Sequence, residues 1–201
     1  MTSSELSALL VLATVSSFSP GPNTTLSTAM AANHGLRHAM RFVCAVPVGW
    51  GLLLALCATG LGSLVVAFPP LRWVIVLMGT LYLLWLAWRL WNTTQLLQAD
   101  NQKLHVGFWQ GVALQFLNIK AWMLALAIVA GWIAGREDAT ERTLMLWPIM
   151  VTYGFVSNLS YALVGSALRH WLGHGQRLQL FNRCMSMALL FTALWMLQRV
   201  A

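Results

Sequence analysis

A long apolar stretch near the start of the chain is interrupted at its middle by two prolines and a glycine. The stretch covers residues 6–32, and its middle reads Ser19-Pro20-Gly21-Pro22-Asn23. As a helix it would reach roughly 40 Å and cross a hydrocarbon core of about 30 Å. Proline lacks the backbone N–H that a helix needs, and lipid tolerates unpaired backbone groups only where they face protein or water. The segment therefore predicts a broken membrane span whose break faces a site.

The composition indicates a protein that resides in lipid. Hydrophobic residues make up 59% of the chain and charged residues 8%, against about 45 to 50% and 25% in soluble proteins. The formal net charge of +7 would suggest a nucleic-acid partner for a soluble protein. Here the basic residues are confined to short connections and helix ends, where membrane topology explains them. We expect the lipid bilayer, and no nucleic acid, as a partner.

Six apolar segments are long enough to span a membrane as helices. They are residues 6–32, 42–67, 73–91, 108–133, 144–168 and 178–197. No basic segment precedes the first, so we expect it to be retained rather than cleaved as a signal peptide. The polar connection 92–107 divides three spans from three. The sequence therefore predicts an all-α integral membrane protein of six transmembrane helices, arranged as two inverted three-helix halves (residues 1–97 and 98–201).

Lysine and arginine are concentrated on one side of these spans. Seven belong to the first, third and fifth connections with their flanks, and four to the opposite side. Cytoplasmic loops of membrane proteins carry the excess of basic residues. We therefore expect both termini on the side away from the cytoplasm.

A lysine lies at mid-depth in the fourth predicted span. Lys120 is about twelve residues, or roughly 18 Å of helix, from either end, too deep to reach an interface. Such a residue costs about 2.5 to 3.5 kcal/mol in lipid and usually faces a bundle interior or a wet cavity with a partner. All five acidic residues lie at span ends or in connections. A substrate carboxylate would supply the missing charge; the alternative is a structural hydrogen bond to carbonyls freed at the first interruption.

The two polar interruptions occupy corresponding places in the two halves. Asn118, two residues before Lys120, follows Asn23 by 95 positions, and each lies in the first span of its half. Paired interruptions of this kind are typical of transporter sites near the midplane, where helix N-termini attract an anionic group. The alternative is that the two amides only tie helices together.

The fifth predicted span carries a polar stripe. Tyr153, Ser157 and Tyr161 recur at helical spacing on one face. The stripe would line a pathway, or else its small and hydroxylated members, with Gly154 and Asn158 beside them, promote close helix packing.

Enzyme and metal chemistry find no support in the sequence. The chain has no H-E-x-x-H or G-x-S-x-G motif and no histidine at depth, so we expect no catalytic residue, no metal and no cofactor. Cys44, Cys57 and Cys184 form no C-x-x-C pair, which argues against the alternative of a thiol-redox carrier. A non-transporting structural subunit stays a further alternative. Small-residue spacings such as Ala45 to Gly49 serve packing within or between subunits, so the sequence leaves homo-oligomerisation undecided.

Four short motifs occur in a distinctive order: Ser19-Pro20-Gly21-Pro22-Asn23, Gly35-Leu36-Arg37, Ala87-Trp88-Arg89 and Asn118-Ile119-Lys120. Together they resemble the LysE/RhtB family of amino-acid exporters, which are bacterial inner-membrane efflux carriers. That family usually has Asn-Pro-Lys at the last motif, and often Gly-Asp where this chain reads Gly49-Trp50. Both departures are found among its cysteine and O-acetylserine exporters.

The resemblance implies a single transporter domain, residues 1–201, that exports small amino acids or close derivatives. It also implies a proton-motive driving force and a location in the inner membrane, where the count of basic residues predicts that both termini are periplasmic. We expect the two halves to work by alternating access. The absence of an acid at depth leaves proton transfer by Lys120 and simple facilitated efflux as alternatives. The substrate-binding residues that we predict are Pro20, Gly21, Pro22, Asn23, Asn118, Lys120, Tyr153, Ser157 and Tyr161.

Overall fold

The computed structural model describes residues 1–93 and 106–198, and its regular secondary structure in these ranges is entirely helical. The helices are α1 (Ser3–Phe18), α2 (Pro22–His34), α3 (Leu36–Ala58), α4 (Leu61–Ala67), α5 (Pro69–Trp91), α6 (Phe108–Leu117), α7 (Ile119–Ile128), α8 (Ala139–Leu172) and α9 (Arg177–Gln198). A π-helical turn, Val129–Ile133, continues α7. The predicted all-α class is confirmed. Most of the connection between the predicted halves, residues 94–105, lies outside the described ranges.

Three of these helices, α3, α5 and α9, are long and apolar enough to cross a membrane. The pair α6 and α7 with its π-helical turn is bent by 68° and makes a fourth crossing if it is one broken span. Helix α1 is apolar but has only 16 residues. The six-span count and the inverted relation of the halves therefore stay predictions.

The first predicted span is interrupted at the residues that the sequence indicates. Helix α1 ends at Phe18, Ser19 and Gly21 are extended, and Pro22 begins α2. A proline is well tolerated at this position because the first N–H groups of a helix have no intrahelical partner. Residues 19–21 are called the first break below, and Asn118, between α6 and α7, the second break.

The second predicted span, 42–67, is not one helix. Helix α3 ends at Ala58 and α4 begins at Leu61, because Gly60 takes a left-handed backbone conformation with φ of +91°. Only glycine adopts this conformation without strain, and it ends a helix. The apolar pattern continues across the turn, so hydropathy alone does not show it.

Helices of the first predicted half pack against helices of the second. Helix α2 packs on α8, α6 packs on α3, and α5 packs on α9. Three glycines permit the closest backbone approaches: a Cβ at Gly79 of α5 would collide with the carbonyl oxygen of Leu117, one at Gly165 of α8 would collide with that of Thr28, and one at Gly49 of α3 would lie 2.6 Å from that of Val112. Small residues let membrane helices approach in this way.

Helix α1 is held to the bundle mainly by polar contacts. Only Leu9 and Ala13 are buried along it. The Glu5 carboxylate lies 3.4 Å from the Arg136 guanidinium and 3.3 Å from that of Arg142. Arg142 also donates to the Asp138 carboxylate at 2.7 Å, and this hydrogen bond holds the pKa of Asp138 below its usual value. The start of α1 is thus tied to the connection between α7 and α8.

Candidate functional site

The two breaks lie beside each other, and Lys120 joins them. Its ammonium donates to the Ser19 carbonyl at 3.0 Å, to the Ser19 hydroxyl at 2.7 Å and to the Pro20 carbonyl at 3.4 Å. These carbonyls lack helical partners because they lie in the extended segment between α1 and α2, and the first backbone hydrogen bond of α2 runs from the Thr25 N–H to the Gly21 carbonyl at 3.0 Å. The structural hydrogen bond that the sequence left as an alternative is therefore present. Within the described ranges Lys120 has no ion pair.

A pair of amides makes a second connection between the breaks. The Asn23 amide donates to Oε1 of Gln115 at 2.8 Å, and the Gln115 amide donates back to Oδ1 of Asn23 at 3.2 Å. Gln115 is completely buried and was not among the predicted site residues. A polar residue one turn before Asn118 in an apolar span is the signal that identifies it, since such residues face the interior of a bundle.

Asn118 organises the second break from within its own span. Its side-chain oxygen accepts the Lys120 backbone N–H at 3.1 Å and so caps α7. The Trp122 indole donates to the Phe116 carbonyl at 2.8 Å. Asn118 does not bond to Asn23, which pairs with Gln115 instead, although Asn23 and Asn118 line the same cavity.

The contacts between the breaks follow a crossed pattern. The second residue of the helix that follows each break is Asn23 in α2 and Lys120 in α7. Each reaches the end of the helix that precedes the other break: Asn23 bonds to Gln115 of α6, and Lys120 bonds to Ser19 after α1. The two spans are thus connected twice, once in each direction.

A cavity of about 70 Å³ opens between the breaks, which is room for several water molecules. Six predicted site residues line it: Gly21, Pro22, Asn23, Asn118, Lys120 and Ser157. Sequence reasoning missed the hydroxyl groups of Ser16, Ser17 and Thr24, the Asn158 amide, and the apolar side chains of Trp50 and Met150. Of the described residues that line the cavity, only Lys120 carries a charge.

Pro20, Tyr153 and Tyr161 do not line this cavity. Pro20 is exposed. The Tyr161 hydroxyl donates to the Phe18 carbonyl at 2.8 Å, and the Tyr153 and Thr14 hydroxyl groups lie 3.3 Å apart. Both tyrosines therefore fasten α8 to α1, and a direct contact of these three residues with substrate stays a prediction.

The three cysteines do not line the cavity. Cys44, Cys57 and Cys184 are free thiols, and none of them lines it. The described residues contain no group of three or more histidine, cysteine or acidic side chains that could hold a metal ion.

The model of the LysE type translocator family matches residues 14–199. The chain belongs to the LysE translocator family. Curated relatives include the cysteine/O-acetylserine efflux protein of Salmonella choleraesuis (strain SC-B67), which is 28% identical over 175 residues, 85% of this chain and 89% of its own. The protein of the same name from Klebsiella pneumoniae is 27% identical over 179 residues, 89% of this chain and 91% of its own. That from Escherichia coli O1:K1 / APEC is 27% identical over 165 residues, with 82% and 84% covered.

No solved structure matches the chain. The resemblance that the four motifs carry is confirmed by the family match and by these LysE-family relatives.

Proposed function

We propose that this LysE-family chain exports small amino acids or close derivatives, such as cysteine or O-acetylserine, across the bacterial inner membrane. The observation that carries the proposal is the Lys120 ammonium between two broken helices, at the wall of a polar cavity. Family membership supports export, and the printed names of the relatives support this class of substrate.

The chemistry of the cavity favours a zwitterion. The substrate carboxylate would bind the Lys120 ammonium, since no acidic side chain lines the described part of the cavity. The substrate ammonium would then take the Ser19 and Pro20 carbonyls that Lys120 now occupies. A neutral amino acid would thus supply a new partner both for Lys120 and for the carbonyls that Lys120 now contacts. A cationic one would bring a second positive charge that the cavity cannot neutralise.

Helix geometry adds to the attraction for the carboxylate. Helices α2 and α7 both begin at the cavity, with Asn23 and Lys120 in their first turns. The start of a helix carries a partial positive charge and unpaired N–H groups, which stabilise an anionic group. Substrate sites of this type recur in transporters with discontinuous helices.

Six spans in two inverted halves, working by alternating access, form the finer part of the proposal. The crossed contacts between the breaks support it, as does the packing of α2 on α8 and of α6 on α3. The excess of lysine and arginine on one side supports periplasmic termini. If the driving force is a proton gradient, Lys120 is the titratable group of the described cavity lining through which it would act.

Flux through reconstituted protein tests the proposal. Wild-type vesicles loaded with labelled cysteine, O-acetylserine, lysine and glutamate should release the neutral compounds fastest. Lys120→Ala should slow that release by roughly 10- to 100-fold, because a hydrogen bond to a charged group is worth about 1.5 to 3 kcal/mol. Lys103→Ala, which changes the other lysine of the chain, is the matched control. Undiminished flux through correctly inserted Lys120→Ala protein would remove Lys120 from the site.

A further inference from the structure

Gln115 lies behind the cavity wall rather than in it. The residue is completely buried in α6, while its partner Asn23 lines the cavity. Both polar atoms of the Gln115 amide contact the Asn23 amide, at 2.8 and 3.2 Å. Any effect of Gln115 on a bound substrate must therefore pass through Asn23.

The backbone fixes the orientation of this amide pair. Gln115 Nε2 also lies 3.1 Å from the Gly111 carbonyl, which can only accept a hydrogen bond. The nitrogen of Gln115 must therefore stand on the Gly111 side, and its oxygen must accept from Asn23. Turning the Asn23 amide over would set nitrogen against nitrogen and oxygen against oxygen. The Gly111 carbonyl thus determines, through Gln115, which way round Asn23 stands.

The fixed amide keeps a defined set of groups for the cavity. A carboxamide has two N–H donors and two acceptor lone pairs. Gln115 uses one donor and one lone pair of Asn23. One N–H and one lone pair remain, and Asn23 borders the same cavity as the Lys120 ammonium.

We propose that Gln115 is a positioning residue that sets substrate affinity and selectivity by holding the Asn23 amide in one orientation. The inference rests on the proposed function and deepens it. The preferred substrate presents to the Asn23 amide, besides its carboxylate, both a hydrogen-bond donor and a hydrogen-bond acceptor. A side-chain hydroxyl, thiol or amide offers both in one group, and in O-acetylserine the ammonium donates while the ester carbonyl accepts.

Kinetics of reconstituted full-length protein test this role. Gln115→Leu keeps nearly the same volume and removes both hydrogen bonds to Asn23. It should raise the KM for neutral polar amino acids about tenfold and leave the maximal rate within about twofold, because an Asn23 amide that is no longer held in one orientation binds the substrate less tightly. It should also reduce the preference for serine or cysteine over alanine. Gln110→Leu, the same change at an exposed position of α6, should leave both constants unchanged.

A length exchange separates positioning from folding. Gln115→Asn keeps the amide but shortens its reach by one methylene, so it should raise KM even if Gln115→Leu fails to fold. Adding Asn23→Gln restores the combined length of the pair and should bring KM back to within about threefold of the wild-type value. A role in stability alone would instead reduce the folded fraction and the maximal rate, with KM unchanged.

The outcomes distinguish this inference from the proposed function. If wild-type vesicles transport amino acids and both Gln115 variants keep KM and selectivity within about twofold, the role of Gln115 is wrong and the proposed function stands. If a raised KM is not restored by the length exchange, positioning through Asn23 is wrong. If wild-type vesicles transport no amino acid, the proposed function is wrong and the role of Gln115 is wrong with it.

Discussion

The two breaks satisfy their freed backbone groups in opposite ways. At the first break, carbonyls of Phe18, Ser19 and Pro20 accept hydrogen bonds from Tyr161 of α8 and Lys120 of α7. At the second break, the Phe116 carbonyl and the Lys120 N–H are paired by Trp122 and Asn118 of the same span. The first break thus receives its hydrogen-bond donors from other helices, and the second break finds its partners within its own span.

The first break therefore depends on other helices for its hydrogen bonds, whereas the second break is complete within its own span. The second break keeps its partners wherever its span moves, because all of them belong to that span. The first break loses partners whenever α7 or α8 moves away from it, and unpaired carbonyls in an apolar interior are costly. We therefore expect the first break to follow the position of α7 and α8, and the second to act as a fixed platform for Lys120.

The largest effect should come from alanine at Gly21 of the first break, compared with alanine at Gly131, which lies outside both breaks. A Cβ at Gly21 would lie 3.2 Å from the Lys120 ammonium, so the ammonium would have to shift by a few tenths of an ångström and its hydrogen bonds to the first break would weaken. We expect Gly21→Ala to lower the thermal unfolding temperature in detergent by about 5 °C, since hydrogen bonds to a charged group contribute about 1.5 to 3 kcal/mol. Gly131→Ala, in the π-helical turn that continues α7, meets nothing within 4 Å and should not lower it. Equal effects of the two variants would contradict the comparison.

A smaller effect is expected from the cap of the second break. Asn118→Ala removes the acceptor for the Lys120 N–H. Loss of such a cap costs about 1 kcal/mol, or about 2 to 4 °C in the unfolding temperature of a chain of this size. Asn118→Ser keeps a capping oxygen and should recover most of the loss. If serine is no better than alanine, the break does not depend on its own cap.

Replacing the two tyrosines of α8 by phenylalanine should lower the unfolding temperature by slightly different amounts. Tyr161→Phe leaves the Phe18 carbonyl without its donor and should lower the unfolding temperature by about 1 to 2 °C. Tyr153→Phe should cost less, because the Thr14 hydroxyl keeps its hydrogen bond to the Leu10 carbonyl at 2.8 Å. Thermal unfolding of the two variants side by side checks this order, and a larger loss for Tyr153→Phe would reverse it.

The smallest effect concerns Asp138, at the start of α8. The hydrogen bond from Arg142 lowers the pKa of Asp138 in the folded state, so its contribution to stability is present above the unfolded value of 3.8 and is lost as the pH falls through the lower folded value. Asp138→Asn should therefore lower the unfolding temperature slightly near neutral pH, and by less as the pH falls below 3.8. A difference that stays constant down to about pH 2 would exclude this cause.

The sequence predicts best where a residue has few physical alternatives. Two prolines within three residues leave too few N–H groups for a helix, so the first break falls where expected. A lysine at mid-depth must find acceptors, and the freed carbonyls are among the acceptors that were considered. Gln115 was missed because its importance depends on a partner 92 residues away. The tyrosine stripe was predicted as one surface, yet packing against α1 takes two of its members out of the cavity.

The glycine contacts determine which helices can travel together. A carbonyl of α2 presses against Gly165 of α8, and a carbonyl of α6 presses against Gly49 of α3. The two helices of each pair cannot slide past one another without backbone collisions, so we expect each pair to move as one rigid body. The contact of Gly79 with the Leu117 carbonyl adds α5 to the body formed by α3 and α6. Each body then combines a piece of the N-terminal sequence with a piece of the C-terminal sequence. If the two predicted halves arose by gene duplication, the units that move together would therefore differ from the units that were duplicated.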